Sequence, residues 1–147
     1  MNSIRNNLVL ELHIPDFAKA RSFYAMLGFE EIQYDPTSGG GSDLGYLVLA
    51  REDPLGRVLL NFYGDSEEVV NHAHFKDFPP TTPRGYAVEI TIPVADLDGL
   101  WQRIQGTVAV ARVDQSLVTK RWGKRDFRLV DPFGFYLRFT ELVDWGQ

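Results

Sequence analysis

Histidines are the residues of this chain whose type and spacing best suit metal chemistry. His72 and His74 form an H-x-H pair, a spacing that can chelate zinc through two imidazole nitrogens. The pair lies in a proline-flanked stretch where only Asp77 offers a nearby third ligand, so we favour no specific metal site there. His13 shares a strand face with Glu11, and it either points into a cleft near its mouth or stays exposed at the strand end.

Motifs for other catalytic chemistries are missing from the sequence. The absence of cysteine excludes disulfides, thiolate metal sites and cysteine nucleophiles. No G-x-S-x-G motif occurs, and Gly39-Gly40-Gly41 lacks the Gly-Lys-Ser/Thr ending of a phosphate-binding loop. The sequence therefore indicates neither nucleophilic catalysis nor a phosphate loop.

Charge and hydropathy limit the partners of the chain. The net charge of −5 over 147 residues argues against nucleic acid, which requires a basic face. No apolar run approaches the roughly 20 residues that span a bilayer. Residues 1–7 are polar and lack the apolar region of a signal peptide. We therefore expect a cytoplasmic protein with a small-molecule partner and with neither a membrane nor a nucleic-acid role.

Two motif pairs recur at nearly the same spacing. Asp53 and Asp131 each begin a D-P-x-G phrase, and the two phrases are 78 residues apart. Asp16 and Asp96, 80 residues apart, each follow a strand-like run and open a helix-like one. Two independent signals with nearly one period predict an internal duplication, with the function where the two modules meet.

The hydrophobic pattern predicts the order β-α-β-β-β in each module. The first module, about residues 7–64, has a predicted helix from Asp16 to Gly28 and strands at 8–14, 29–35, 44–50 and 57–63. The second, about residues 85–142, has a predicted helix from Asp96 to Gly106 and strands at 86–94, 107–113, 127–130 and 135–142. The linker between the modules, residues 64–85, is predicted to contain a helical turn near 66–70. We predict one α+β domain over residues 1–147, with two sheets that form an open, cleft-bearing barrel.

These motifs resemble the vicinal oxygen chelate superfamily, which includes glyoxalase I, extradiol dioxygenases, fosfomycin resistance enzymes and bleomycin resistance proteins. The segment from Ile14 to Phe29, with its I-P-D, F-Y and L-G-F phrases, is similar to the family's first helix. The W-G-K-R-D-F segment from Trp122 to Phe127, followed by the second D-P-x-G, is similar to the bleomycin resistance branch. The resemblance covers nearly the whole chain and implies the glyoxalase/bleomycin resistance fold.

The same resemblance implies where a divalent ion would bind. In the family, the first ligand of each module lies seven residues before the helix-opening Asp, and the second lies seven residues after the Asp of D-P-x-G. The corresponding residues are Val9, Leu60, Glu89 and Arg138. Valine and leucine have no donor atom and arginine is a cation, so only Glu89 could bind a metal. We expect no metal and no other cofactor, and Glu89 and Arg138 could instead form an ion pair.

Aromatic side chains outside the helices indicate a ligand site. Trp122 precedes a glycine in a basic, polar stretch, where a core tryptophan is less expected. By the resemblance, it matches the tryptophan that helps line the drug-binding groove of bleomycin resistance proteins. Aromatic faces suit planar ligands and cations. The candidate ligand-binding residues are Trp122, Tyr46, Tyr34, Phe62, Glu89, Arg138 and Glu11.

Two sets of charged residues point to opposite ligand charges. The acidic residues that could surround the groove and attract a cationic glycopeptide such as bleomycin are Glu11, Asp35, Asp43 and Glu89. The basic residues near Trp122, which would favour an anionic ligand, are Lys120, Arg121, Lys124 and Arg125. The sequence leaves both ligand charges open.

We interpret the chain as a non-catalytic protein that sequesters a partly aromatic ligand, with no catalytic residue assigned. The resemblance implies a homodimer with its groove at the subunit interface and exchanged N-terminal strands, for which residues 1–7 could serve as the arm. The alternative is a divalent-metal-dependent enzyme of the superfamily, a glyoxalase-like lyase or extradiol dioxygenase. Its displaced ligands would be residues such as His13, His72 or His74. A third possibility is a degenerate module with a regulatory or structural role.

Overall fold

The fold contains the same β-α-β-β-β unit twice. The computed structural model describes residues 8–36, 45–64, 73–79 and 81–143. The first half contains β1 (Leu10–Ile14), α1 (Phe17–Met26), β2 (Glu30–Asp35), β3 (Tyr46–Asp53) and β4 (Gly56–Gly64). The second half contains β5 (Glu89–Pro93), α2 (Leu97–Gln105), β6 (Val113–Thr119), β7 (Arg125–Val130) and β8 (Tyr136–Thr140). Single 3-10 turns occur at Phe75–Asp77 and Val110–Arg112.

The two sheets have the same topology. Their strand orders are β1-β4-β3-β2 and β5-β8-β7-β6, each with four strands. The first strand of each half pairs in parallel with the last, whereas β2 with β3, β6 with β7 and β7 with β8 pair antiparallel. Two four-stranded mixed sheets with two helices confirm the predicted α+β class and the internal duplication.

The chain divides into two compact units that follow the repeat. One unit consists of residues 1–52 and 57–80, and the other of residues 53–56 and 81–147. The prediction of a single domain over residues 1–147 stays a prediction. Among the described residues, no helix is long and apolar enough to cross a membrane.

The same capping chemistry starts both helices. The Asp16 side chain accepts a hydrogen bond from the Lys19 backbone N–H at 2.9 Å, and the Asp96 side chain accepts one from the Gly99 N–H at 3.0 Å. Each carboxylate satisfies an N–H that the first helical turn leaves without an intrahelical partner. Gly28, with a φ of +92°, follows α1 in the left-handed conformation that favours glycine. The predicted N-caps and the end of the first helix are confirmed.

Each helix packs on one face of its own sheet. The buried Tyr24 of α1 lies with its ring 5.2 Å from that of Phe62 on β4. In the second unit, the Trp101 ring of α2 lies 5.1 Å from that of Phe127 on β7. Burial of these apolar faces stabilises each unit by roughly 25 cal/mol per Å². The opposite face of each sheet is therefore the one available for polar or ligand-binding side chains.

Both D-P-x-G phrases form turns between strands, as predicted. The Asp53 carboxylate accepts a hydrogen bond from the Leu55 N–H at 3.0 Å. The Asp131 carboxylate accepts hydrogen bonds from the N–H groups of Phe133 at 2.9 Å and Phe135 at 2.8 Å. An aspartate that bonds to the backbone two residues ahead is a typical turn-forming device, which explains why the phrase recurs at the same place in each unit.

Two predicted strands differ from the structure, and one predicted helical turn lies outside the described residues. The strand predicted at 107–113 is wrong, because Val110–Arg112 is a 3-10 turn and the strand is Val113–Thr119. The polar run of residues 114–116 hides this edge strand from a search for apolar alternation. The strand predicted at 86–94 begins only at Glu89, since residues before it form a turn in which Gly85 has a φ of +68°. The helical turn predicted near 66–70 lies outside the described residues.

Candidate functional site

The face of the second sheet opposite α2 carries four charged side chains. Arg128 on β7 pairs directly with Arg138 on β8 in the strand register, so both guanidinium groups lie on this face. Apolar neighbours of these residues on the two strands are buried on the other face, towards α2. Two like charges directly opposite each other destabilise a sheet unless counter-charges lie between them. We call this group of four side chains the charged face; it consists of Glu89, Asp126, Arg128 and Arg138.

Asp126 is the counter-charge at the centre of the charged face. Its side chain is fully buried, and its Oδ2 accepts a hydrogen bond from Arg138 Nε at 2.9 Å. Arg128 Nη2 reaches the same oxygen at 3.5 Å, and Arg128 Nη1 lies 3.1 Å from Glu89 Oε1. The ion pair predicted between Glu89 and Arg138 is therefore wrong. Arg138 lies beside Thr91 in the β5–β8 register and pairs with Asp126, whereas Glu89 pairs with Arg128.

A chain of hydrogen bonds extends from Asp126 to the hairpin that follows β6. Gln115 donates its Nε2 proton to Asp126 Oδ1 at 2.6 Å, and Lys120 Nζ donates to Gln115 Oε1 at 2.8 Å. Burial alone raises the pKa of Asp126, but hydrogen bonds from Gln115, Arg128 and Arg138 outweigh it and hold the pKa below its usual range. Asp126 therefore stays ionised and fixes the positions of both arginines.

Three groups of this region, Asp126, Arg128 and Tyr136, have pKa values displaced away from neutrality. Burial, together with a 2.6 Å hydrogen bond from its hydroxyl to Asp114, raises the pKa of Tyr136. Burial lowers the pKa of Arg128, yet its bonds to Tyr136 and Asp126 leave the net pKa raised. Each pKa shift resolved within the described ranges moves its group further from neutral pH. A general acid or base requires the opposite displacement.

Trp122 stands at a pocket next to the charged face. A tight turn presents the residue: Gly123 has a φ of +87° and donates its N–H to the Lys120 carbonyl at 2.9 Å. The Trp122 side chain remains half exposed, at 49%. Lys120 Nζ lies 5.7 Å and Arg138 Cζ 5.5 Å from its ring centroid, within cation–π distance. The pocket has a volume of about 440 Å³ and is lined by Val118, Thr119, Lys120, Arg121, Trp122 and Arg128.

The first unit presents an aromatic group on the sheet face opposite α1. His13 Nε2 lies 3.1 Å from Glu11 Oε2, and its ring lies 5.3 Å from that of Tyr63. Tyr46, which is partly exposed, has its ring 4.5 Å from that of Tyr63. Phe75 lies 5.6 Å from His13, also at ring-centroid distance. Of the predicted ligand-binding residues, this face therefore brings together Glu11 and Tyr46.

Two predicted ligand-binding residues lie on the helix side of the first sheet. Phe62 is fully buried against Tyr24. Tyr34 packs edge-on against Phe17 of α1, with Arg21 stacked over its ring at 4.8 Å. A β-bulge between Glu31 and Gln33 shifts the register of β2 and turns Tyr34 to that side. Neither aromatic ring lines an open face, so we leave both out of the candidate site.

The metal position counted as Leu60 is also corrected by the strand register. Leu10 pairs with Leu60 in the first sheet, and Ile90 pairs with Leu137 in the second. Leu60 therefore corresponds to Leu137 and is fully buried. The counterpart of Arg138 is the next residue, Asn61, which lies eight residues after Asp53, whereas Arg138 lies seven residues after Asp131.

The corrected positions do not fit a divalent metal ion. Val9 has no donor atom, Arg138 is a cation, and the Glu89 carboxylate is neutralised by Arg128 at 3.1 Å. Asn61 contributes one amide, whereas a catalytic ion normally has about three protein ligands. Within the described parts of the chain, no group of three or more histidine, cysteine, aspartate or glutamate side chains could hold a metal.

The histidines of the alternative metal site have other surroundings. His74 packs against Phe75 and Phe78, with ring centroids 5.4 and 5.3 Å away. His13 on β1 lies against Phe75 and beside the Glu11 carboxylate, so aromatic rings flank both imidazoles. His72 lies outside the described residues, as do Asp43 and residues 1–7.

The residues that organise the charged face were missed from the sequence. Asp126 and Arg128 alternate with buried Phe127 and Leu129, a period-two pattern that could have assigned them to one face. Gln115 lies in the edge strand that was not predicted, so no signal marked it. Of the predicted residues, this unit brings together Glu89, Arg138 and Trp122.

Comparisons with known proteins agree with this architecture. The bleomycin resistance determinant encoded on the transposon Tn5 has a TM-score of 0.62 and 20% identity, with 93% of this chain and 98% of that chain covered. A bleomycin-binding protein complexed with bleomycin has a TM-score of 0.61 and 20% identity, with 95% and 100% covered. Lactoylglutathione lyase from Agrobacterium tumefaciens has a TM-score of 0.61 and 17% identity, with 99% and 100% covered. At these identities the likeness shows a shared fold.

The sequence itself identifies the family. No curated protein matches the chain. The family model described as Glyoxalase/Bleomycin resistance protein/Dioxygenase superfamily matches residues 8–139, which is most of the chain. The chain therefore belongs to the glyoxalase/bleomycin resistance protein/dioxygenase superfamily.

Proposed function

We propose that this chain is a non-catalytic small-molecule-binding protein that resembles bleomycin resistance proteins and sequesters a partly aromatic ligand. The observation that carries the proposal is the half-exposed ring of Trp122 at the edge of a pocket of about 440 Å³. Pockets of this size suit small organic ligands, and an indole ring supplies a face on which a planar group stacks. Both bleomycin-associated neighbours have this fold.

Two observations support binding without catalysis. The superfamily positions for metal ligands hold a valine, an asparagine, a glutamate paired with Arg128 and an arginine. In addition, the pKa shifts of Asp126 and Tyr136 move these groups away from neutral pH, where a general acid or base would be of use. A ligand would therefore bind and leave chemically unchanged.

The proposal includes a homodimer with its ligand groove at the subunit interface. Exposed apolar side chains next to the first strand of each unit support it: Leu8 and Val9 before β1, and Tyr86 and Val88 before β5. Contiguous exposed apolar patches mark surfaces that a partner covers. Light scattering over a wide range of protein concentrations should give twice the monomer mass, and a monomer throughout that range would overturn this part of the proposal.

Equilibrium dialysis tests the binding function. The protein is dialysed against bleomycin and against a panel of small aromatic acids, amides and amines, and each compound is recovered and analysed by mass spectrometry. We expect saturable binding of at least one compound, recovered intact. Trp122→Ala should weaken that binding by about 1–3 kcal/mol, because a stacked ring is lost.

Trp101→Phe is the matched control, since it removes a tryptophan that packs on Phe127 on the face of the sheet covered by α2. This variant should retain the affinity of the unaltered protein. Conversion of a compound over many turnovers would contradict the non-catalytic role. An unchanged dissociation constant in Trp122→Ala would remove Trp122 from the site.

A further inference from the structure

The charges around the Trp122 pocket are unevenly distributed. Every charged residue among those that line it is basic: Lys120, Arg121 and Arg128. Lys120 Nζ donates to the neutral amide of Gln115, and no carboxylate in the described ranges lies within ion-pair distance of Lys120 or Arg121. Among the described residues, the charges of Lys120 and Arg121 therefore have no carboxylate partner.

The carboxylates of the charged face already have partners within the protein. Asp126 is buried and accepts hydrogen bonds from both Arg138 and Gln115, and Glu89 pairs with Arg128. Arg138 uses only its Nε on Asp126, while its two Nη atoms donate to none of the described residues. A guanidinium with free donors matches the geometry of an oxyanion, to which it can donate two hydrogen bonds at once.

The Trp122 ring already has two cations near it. Lys120 and Arg138 lie 5.7 and 5.5 Å from the ring centroid. A cationic group stacked on the same ring would be repelled by both side chains, since like charges at such distances oppose each other in a partly desolvated site. A planar group with a negative charge would gain the stacking contact and the attraction together.

We propose that the Trp122 pocket selects planar aromatic ligands that carry an oxyanion, with the ring stacked on Trp122 and the anion held by Lys120 and Arg121. This inference rests on the proposed binding function and names its ligand class. The sequence left a cationic and an anionic ligand as alternatives, and this inference chooses the anionic one. Of the acidic residues expected to attract a cationic ligand, Glu11 lies beside His13 and Glu89 is held by Arg128, so neither lines this pocket.

Three probes of nearly equal shape and different charge test the inference by isothermal titration calorimetry. They are 2-naphthoate, the neutral 2-naphthamide and the cationic 2-naphthylmethylammonium. We expect 2-naphthoate to bind at least about tenfold more tightly than either of the other probes, because a charge-assisted hydrogen bond contributes about 1.5–3 kcal/mol. Its affinity should fall as salt is added, while that of the amide stays nearly constant.

A charge-deleted variant and a matched control locate the effect. Lys120→Gln combined with Arg121→Gln should reduce 2-naphthoate affinity at least about tenfold and leave 2-naphthamide unchanged. Because Lys120 also donates to Gln115, Arg121→Gln alone serves as the variant that leaves this hydrogen bond intact. Lys19→Gln combined with Lys76→Gln removes the same net charge from two exposed lysines that do not line the pocket, and should change neither affinity.

The outcomes separate the inference from the function on which it rests. If the amide or the ammonium binds as tightly as the carboxylate, the pocket binds aromatic rings without charge selection, and only the inference fails. If the control variant loses as much 2-naphthoate affinity as the pocket variant, the effect comes from net charge, and the inference again fails. If none of the three probes binds, the inference fails together with the assignment of a ligand site to Trp122.

Discussion

Arg138 donates its Nε proton to the fully buried carboxylate of Asp126 at a distance of 2.9 Å. Arg138 stands at the position that the family's spacing assigns to a metal ligand, and there it pairs with a carboxylate. The same guanidinium lies 5.5 Å from the Trp122 ring, so the pair also contacts an aromatic residue that lines the pocket. Arg138 therefore takes part both in a structural ion pair with Asp126 and in a cation–π contact with Trp122.

The buried pair of Asp126 and Arg138 makes the stability of the unit depend on the Asp126 charge. Asp126→Asn should lower the free energy of unfolding by about 3–5 kcal/mol, because it leaves Arg128 and Arg138 without their central counter-charge. Urea unfolding followed by circular dichroism measures this change. The exposed pair of Asp98 with Arg125 provides the control, and Asp98→Asn should barely move the urea midpoint. Equal losses in the two variants would contradict the central role of Asp126.

The lowered pKa of Asp126 makes the free energy of unfolding depend on pH in a defined direction. The folded-state pKa is lowered, so Asp126 stabilises the fold fully above its unfolded pKa of about 3.9. This contribution is lost as the pH falls from there through the lowered folded pKa. The difference in unfolding free energy between the unaltered protein and Asp126→Asn should be constant near neutral pH and shrink in strong acid. A difference that grows with acidity would contradict this assignment.

A glycine pair tests the turn before β5. Gly85 has a φ of +68°, and a Cβ built there lies 2.7 Å from Phe135 Cδ1. Gly85→Ala should lower the free energy of unfolding by more than about 1 kcal/mol, because both the backbone conformation and the space exclude a side chain. Gly106 has a φ of −96° and no atom within 4 Å of a built Cβ, so Gly106→Ala should be neutral or slightly stabilising. Thermal or urea unfolding of both variants decides the matter, and equal effects would argue against strain at Gly85.

Local signals in the sequence predicted the fold well. The repeated D-P-x-G phrases and the capping residues Asp16 and Asp96 act through nearby backbone groups, so their structural roles follow from the residues alone. Features that depend on register were predicted less well. A bulge in β2 turned Tyr34 towards α1, and a one-residue difference after the D-P-x-G turns exchanged Leu60 for Asn61.

The candidate site was predicted in part for the same reason. Trp122 stands out because a tryptophan next to a glycine in a basic stretch has no core role, and Glu89 and Arg138 were placed on one face by counting. The partner of Glu89 could not be deduced, because Arg128 reaches it across β8 and depends on the three-dimensional order of strands. Gln115 was missed with the polar edge strand that carries it.

Metal content is the measurement that tests the central claim most directly, namely that this member of the superfamily binds ligands without metal chemistry. Untagged protein is equilibrated with zinc, nickel, manganese and iron(II), dialysed exhaustively and examined by elemental analysis. We expect less than about 0.1 equivalent of each metal per chain, because an arginine, a valine and a paired glutamate replace the ligands. A stoichiometry near one equivalent per chain would contradict the account and call for assays of lyase and dioxygenase activity.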